Sequence, residues 1–164
     1  MPMKVTDRII GPSRGDPDTA KASMRRRGAK RPADVDAAID EIYRLCAPDD
    51  MPDAAIVVAQ ADTETGTFTN RWWLERMNLG SLGVTGDPAQ DEARPTFRTP
   101  QAAVRALVAH DVLYSTGQIN RGGLTPADDP RFSAYRAAYG TQAFPRLTDL
   151  SGRYAADENY ANTI

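Results

Sequence analysis

A single glutamate, Glu64, follows a helix pattern and precedes a group of aromatic residues. Apolar residues recur at helical spacing over residues 54–61, Gly66 ends the helix, and Trp72 and Trp73 come shortly after. Apolar surroundings raise the pKa of a carboxyl group, because desolvation disfavours its charged form. A carboxyl group that keeps its proton at neutral pH can protonate a leaving glycosidic oxygen, and aromatic faces can stack on a sugar. The other interpretation is an ordinary solvated glutamate at a helix end.

Three further blocks could surround Glu64. Residues 78–84 (NLGSLGV) place an asparagine and two glycines around a short apolar alternation, which is typical of a turn or of backbone close to a ligand. Residues 97–103 (FRTPQAA) predict the start of a helix, with Thr99 as N-cap and Pro100 at the first helical position. The last block, residues 152–164, contains two tyrosines.

The order of these blocks resembles the glucosaminidase family of peptidoglycan hydrolases, family 73 of the glycoside hydrolases. That family is similar in fold to lysozymes and lytic transglycosylases. The matching residues are the helix end AQxxxETG, then NLGSLGV, FRTPQAA and GRYAxDxNYxxxI, which together span residues 50–164 approximately. The resemblance implies a lysozyme-like, mainly helical domain with endo-β-N-acetylglucosaminidase activity and Glu64 as general acid.

The resemblance also implies roles for Tyr154 and Tyr160, which match the aromatic positions of the terminal block. Their phenols could orient the substrate N-acetyl group or stabilise developing charge. Core packing is the alternative for each. The substrate-binding candidates are Trp72, Trp73, Asn78, Asp87 and Glu92. Adjacent tryptophans on a helix cannot face the same side, so we expect one to pack inward and the other to line the cleft. Asn78 could bind substrate or hold the turn.

A second catalytic carboxyl group is not identified by the sequence. The short lobe between the second and third blocks offers Asp87, Asp91 and Glu92, and none of them matches a family motif. A mechanism with one acid, completed by the substrate's acetamido group or by a water, is therefore open. Two other functions are also open: a lytic transglycosylase or muramidase of the same fold, and a non-enzymatic phage tail or wall-binding component.

Length and composition agree with a single domain. The chain has 164 residues, 41% of them hydrophobic, and no apolar run long enough to cross a bilayer. We find no secretory signal, so we expect a released lysin or a phage virion component that acts at the bacterial cell wall. The single cysteine, Cys46, and the absence of a Cys/His cluster predict no metal and no cofactor. The only histidine, His110, is expected to be a packed residue instead of a base.

The first 31 residues are basic, with nine Lys or Arg and three Asp or Glu, and the rest of the chain is acidic. We expect residues 1–31 to form a flexible tail before the catalytic domain, residues 32–164. Such a tail could attach the protein to the wall or to a virion, whereas nucleic-acid binding has little support because no aromatic residues are interleaved. Its deletion is expected to leave thermal stability almost unchanged.

Several further elements are expected. Helical patterns cover residues 32–46, 99–114 and 129–139, with a short helix within 145–152 and Asp129 as a candidate cap. Only residues 83–84 and 96–98 could pair as a short β-hairpin.

Overall fold

Helices form nearly all of the regular structure in the computed structural model, which describes residues 3–83 and 95–164. In chain order they are α1 (Pro17–Arg26), α2 (Pro32–Leu45), α3 (Ala54–Thr65), α4 (Arg71–Arg76), α5 (Pro100–Thr116), a 3₁₀ turn (Pro126–Asp128), α6 (Phe132–Tyr139), α7 (Leu147–Leu150) and α8 (Tyr160–Thr163). The predicted mainly α class is confirmed. Residues 3–83 and 95–164 contain isolated β-bridges but no strand, and residues 96–98 do not pair as the predicted hairpin requires. Val84, the other half of that hairpin, lies outside the described residues.

The C-terminal end of α3 and the N-terminal end of α5 lie where the sequence predicts them. Gly66 ends α3 in the left-handed region at φ 56°, where a glycine carries no Cβ penalty. Thr99 Oγ1 caps α5 by accepting a hydrogen bond of 3.2 Å from the backbone N–H of Ala102. Both predicted boundaries are confirmed, and Glu64 is fixed in the last turn of α3.

Helix α5 forms the centre of the core and is buried along most of its length. It packs mainly on α2, which in turn contacts α1 and α3. Two polar side chains, His110 and Asp111, are buried on α5 among its apolar residues. The central helix therefore brings ionisable groups into the interior beside α3. None of the described helices has the length and apolar character to span a bilayer.

The N-terminal segment corrects the expectation of a flexible tail. Ile9 and Met24 are buried in the core, and residues 17–26 form α1. The backbone N–H of Ile9 donates to Pro145 O at 2.9 Å, and Ile9 O accepts from the N–H of Asp53 at 2.8 Å. The segment is sparse in apolar residues, but those it has reach the core because hydrogen bonds join its backbone to two distant loops. Residues 3–31 thus pack against the described remainder of the chain, residues 32–83 and 95–164.

Ion pairs tie this segment to the rest of the molecule. Five of its basic residues pair with aspartates: Arg14, Lys21, Arg25, Arg27 and Arg31. Much of the positive charge that suggested an attachment tail is therefore matched by acidic side chains of the protein itself. The pairing gives five of the nine basic residues of the segment a structural role.

Candidate active site

Glu64 lines a cavity of about 320 Å³ at the C-terminal end of α3. The residue is half-buried. Burial is the main influence on its carboxyl group and raises the pKa, while the neighbouring Tyr160 and Ser81 side chains lower it by a smaller amount. A proton held by Glu64 is thus stabilised by desolvation and still borders an open space. An ordinary solvated glutamate does not describe this position.

Two loops hold the end of α3 in place. Glu64 O accepts hydrogen bonds from Asn70 Nδ2 at 2.8 Å and from Ser81 Oγ at 3.0 Å. Ser81 has a φ of 45°, an unusual left-handed conformation for a residue with a side chain. The preceding Gly80 has no room for a side chain without adjustment, because a Cβ atom there would lie 3.0 Å from Leu107 Cδ1. Gly80 and Ser81 both line the cavity, so the glycine of this block allows the backbone to pass close to Leu107 at the cavity wall.

The two tryptophans divide as expected. Trp72 lines the cavity with Glu64, and the Arg71 guanidinium lies 4.7 Å from its ring centroid. Trp73 is fully buried, and its Nε1–H donates to Lys30 O at 3.1 Å. Its ring meets Phe68 edge-on, with the centroids 5.2 Å apart. Trp73 is thus a core residue, and its assignment to substrate binding is wrong.

The terminal tyrosines lie beside Glu64. Tyr154 lines the cavity and stacks on Tyr160, with ring centroids 5.4 Å apart and planes 20° apart. The Tyr160 hydroxyl is close enough to affect the Glu64 carboxyl group. Yet in the part of the chain that the structure describes, neither phenol oxygen makes a hydrogen bond of ordinary geometry. Burial raises the pKa of both phenols, so they remain neutral.

Asn78 does not line the cavity. It is fully buried, its Nδ2 donates to Leu82 O at 3.1 Å, and its Oδ1 accepts from the Leu82 N–H at 2.9 Å. Both ends of the amide are used to close the turn, so the substrate-binding assignment is replaced by the structural one. Asp87 and Glu92, the other two substrate-binding candidates, lie outside the described residues.

A buried acid, Asp111, lies behind Glu64 and was missed by sequence reasoning. Its Oδ1 accepts a hydrogen bond of 3.0 Å from Gln60 Nε2. Burial raises the pKa of Asp111 to about 8, with the negative charges of Asp129 and Glu64 adding to the effect and the Gln60 hydrogen bond opposing it. The side chain is therefore mostly neutral at pH 7. Two signals pointed to this pair: Gln60 lies one turn before Glu64, and Asp111 interrupts the apolar run of α5.

Unsatisfied polar atoms mark this cluster as unusual. Among the described residues, Gln60 Oε1, Asp111 Oδ2, Tyr154 Oη and Tyr160 Oη are buried without a hydrogen bond of ordinary geometry. Buried polar atoms are normally paired, so such a concentration is typical of a site that completes its bonds with solvent or a ligand. Within residues 3–83 and 95–164, no group of three or more His, Cys, Asp or Glu side chains is arranged to hold a metal ion.

Chemically, the cavity combines a proton donor with ring surfaces: one desolvated acid, one half-buried indole and one tyrosine surround an open space. Comparisons of the chain with protein-family models, curated proteins and solved structures found no match. The glucosaminidase resemblance therefore rests on the motif residues themselves.

Proposed function

We propose that this protein is a glycoside hydrolase that cleaves the glycan strand of peptidoglycan, with Glu64 as the general acid. The position of Glu64 carries the proposal: burial raises the pKa of its carboxyl group, and the residue nevertheless lines a cavity large enough for a sugar-sized ligand. Trp72 and Tyr154 line the same cavity and offer ring surfaces on which a pyranose can stack.

The convergence of distant sequence blocks also supports the proposal. Glu64 from the first block, Gly80 and Ser81 from the second, and Tyr154 from the last all line one cavity. The glucosaminidase resemblance implies such a meeting, because it assigns these blocks to one active site. Phe97, in the remaining block, packs partly against the core just before α5.

In the proposed reaction, Glu64 donates its proton to the glycosidic oxygen as the bond from that oxygen to the anomeric carbon breaks. The bonding electrons leave with the oxygen, and the sugar carries positive charge in the transition state. A water then adds to the anomeric carbon and its proton returns to Glu64. Tyr160, beside the carboxyl group, and the neutral Asp111 behind it bring no positive charge that would favour early loss of the proton.

A lytic transglycosylase is the second candidate. Glu64 is the one carboxylic acid among the described residues that line the cavity. That composition fits a reaction in which a hydroxyl group of the substrate, instead of an activated water, attacks the anomeric carbon. Such a reaction leaves an anhydro sugar and needs no second carboxylate.

Digestion of purified peptidoglycan, followed by borohydride reduction and mass spectrometry, separates these functions. We expect soluble fragments with N-acetylglucosamine at the reduced end. The proposed place of action is the bacterial cell wall, which the protein would reach as a released lysin or as a virion component. Anhydro-muramic ends would assign the transglycosylase reaction, and reduced muramic acid a muramidase. Release of no glycan fragment would contradict the proposal and favour a binding or structural component.

A further inference from the structure

A second, smaller cavity adjoins the one that contains Glu64. Its volume is about 100 Å³, and Gly80, Ser81 and Tyr154 line both cavities. The remaining lining includes His110, Arg131 and Arg153. The two cavities therefore share one side, and a ligand bound at Glu64 could extend a substituent into the smaller one.

Positive charge dominates the polar side chains of the smaller cavity. Arg131 and Arg153 are exposed, and no carboxylate in the described part of the chain pairs with either guanidinium. Arg153 is held by a hydrogen bond of 3.1 Å from Nη1 to Asp149 O and lies 4.8 Å from the Phe144 ring centroid. A guanidinium group offers a planar set of donors that matches the two oxygens of a carboxylate.

His110 is oriented by a buried aspartate. Its Nδ1 lies 2.8 Å from Asp129 Oδ2, and the Asp129 side chain is fully buried. Asp129 Oδ1 also accepts a hydrogen bond of 2.7 Å from the Arg131 N–H. One carboxylate thus fixes both the imidazole and the backbone that carries an arginine. The second ring nitrogen, Nε2, has no hydrogen-bond partner within residues 3–83 and 95–164 and is free to contact a ligand.

We propose that the smaller cavity is a subsite for a carboxylate group carried by the glycan that binds at Glu64. The cavity volume suits a group of a few atoms, and two unpaired arginines beside an oriented histidine suit an anion. This assignment rests on the proposed function only for the identity of the ligand. In peptidoglycan a free carboxylate occurs either on the lactyl group of peptide-free muramic acid or on the stem peptide.

Binding of monosaccharides tests the subsite without any catalytic step. His110 is the only histidine, so its ring protons give a single set of assignable NMR signals. The wild-type protein is titrated with N-acetylmuramic acid, its methyl ester and muramyl dipeptide. We expect the acid to shift the His110 signals and to bind about tenfold more tightly than the ester, the loss typical of a charge-assisted contact. Equal affinity for acid and ester, or no binding of any probe, would overturn the subsite.

The dipeptide distinguishes the two sources of the carboxylate. Its lactyl group is an amide, so tight binding of the acid alone supports recognition of peptide-free strands, whereas equally tight binding of the dipeptide supports recognition of the stem. Arg131→Gln should weaken binding of the acid about tenfold and leave the ester unchanged. Arg26→Gln removes the same charge from an exposed position on α1 and should change neither affinity. An unchanged affinity for the acid in Arg131→Gln would contradict the proposal.

The outcome is separable from that of the proposed function. If the protein prefers the acid to the ester but releases no glycan fragments, the carboxylate subsite is supported and the hydrolase proposal is contradicted. If the protein cleaves peptidoglycan but binds the acid and the ester equally, the hydrolase proposal is supported and the carboxylate subsite is contradicted.

Discussion

Two regions of the molecule hold buried carboxyl groups in opposite ways. Asp53 accepts hydrogen bonds from Arg14 Nε at 2.5 Å and from the N–H groups of Arg14 and Ala55, each at 2.9 Å. Asp111, by contrast, accepts one described hydrogen bond, from Gln60, and its other oxygen has no partner among the described residues. Glu64, the acid in front of it, owes its raised pKa chiefly to burial.

This difference distinguishes a carboxyl group that stabilises the fold, Asp53, from carboxyl groups suited to proton transfer, Asp111 and Glu64. The Asp53 carboxylate, matched by a cation and by backbone donors, caps α3 and anchors the N-terminal segment. An acid that is desolvated without a cation keeps its proton and can transfer it. Cavity size does not make this distinction, since the depression beside Arg14 and Asp53 measures about 370 Å³ and the Glu64 cavity about 320 Å³.

The structural half of this comparison requires the N-terminal segment to be part of the folded body. Ile9→Ala tests that requirement, because Ile9 is fully buried. We expect the free energy of unfolding to fall by about 2 to 5 kcal/mol, as for other large-to-small changes in a core. Urea denaturation measures the loss. Ile10→Ala, at a half-buried neighbouring position, should cost clearly less. If both variants lose equally little free energy of unfolding, the result would support a flexible N-terminal tail and contradict its packing in the core.

Asp53→Ala removes the matched carboxylate itself. We expect a loss of about 2 to 4 kcal/mol in the free energy of unfolding, because the helix cap and the charged hydrogen bonds disappear together. The remaining Arg14 side chain is 27% exposed and can reach solvent, which limits the cost. Asp49→Ala changes the same residue type in an exposed loop and should stay within about 0.5 kcal/mol. A loss at Asp53 no larger than this control would show that the ion pair is not structural.

Asp111→Asn tests, through the pH dependence of stability, whether Asp111 is held as a neutral acid. Burial raises the pKa of Asp111 from 3.8 to about 8, so between these values the folded protein holds a proton that the unfolded chain has lost. The Asp111 contribution to stability therefore falls as the pH rises through this window and is constant above it. Asparagine cannot titrate, and its Oδ1 can still accept from Gln60.

The measurement is the difference in melting temperature between Asp111→Asn and wild type at about pH 5 and about pH 9. We expect the difference to move in favour of the variant at the higher pH. The raised pKa of Glu64 acts in the same direction in both proteins, and the part of its effect that does not depend on the Asp111 charge cancels from the difference. A difference that does not change with pH would show that Asp111 is not held as a neutral acid.

Local signals predicted the helices well and the site only in part. Thr99, Pro100 and Gly66 act through hydrogen bonds and backbone angles a few residues away, so the ends of α3 and α5 could be predicted from the sequence. The pairing of Gln60 with Asp111 joins residues 51 positions apart. Local patterns mark each residue as unusual, but they do not predict that the two side chains meet. The burial of Ile9 depends likewise on hydrogen bonds to Asp53 and Pro145. The prediction of a flexible N-terminal tail, which was based on composition alone, was therefore wrong.

The central claim is that Glu64 donates the proton that breaks a glycosidic bond, and Glu64→Gln tests it most directly. Glutamine keeps the size of the side chain and removes the transferable proton. We predict that the rate of clearing of purified peptidoglycan falls about 10²- to 10⁴-fold, with the unfolding temperature nearly unchanged. Glu75→Gln, the same change at an exposed position on α4, should retain the wild-type rate. A Glu64→Gln protein that clears peptidoglycan at the wild-type rate would contradict the account.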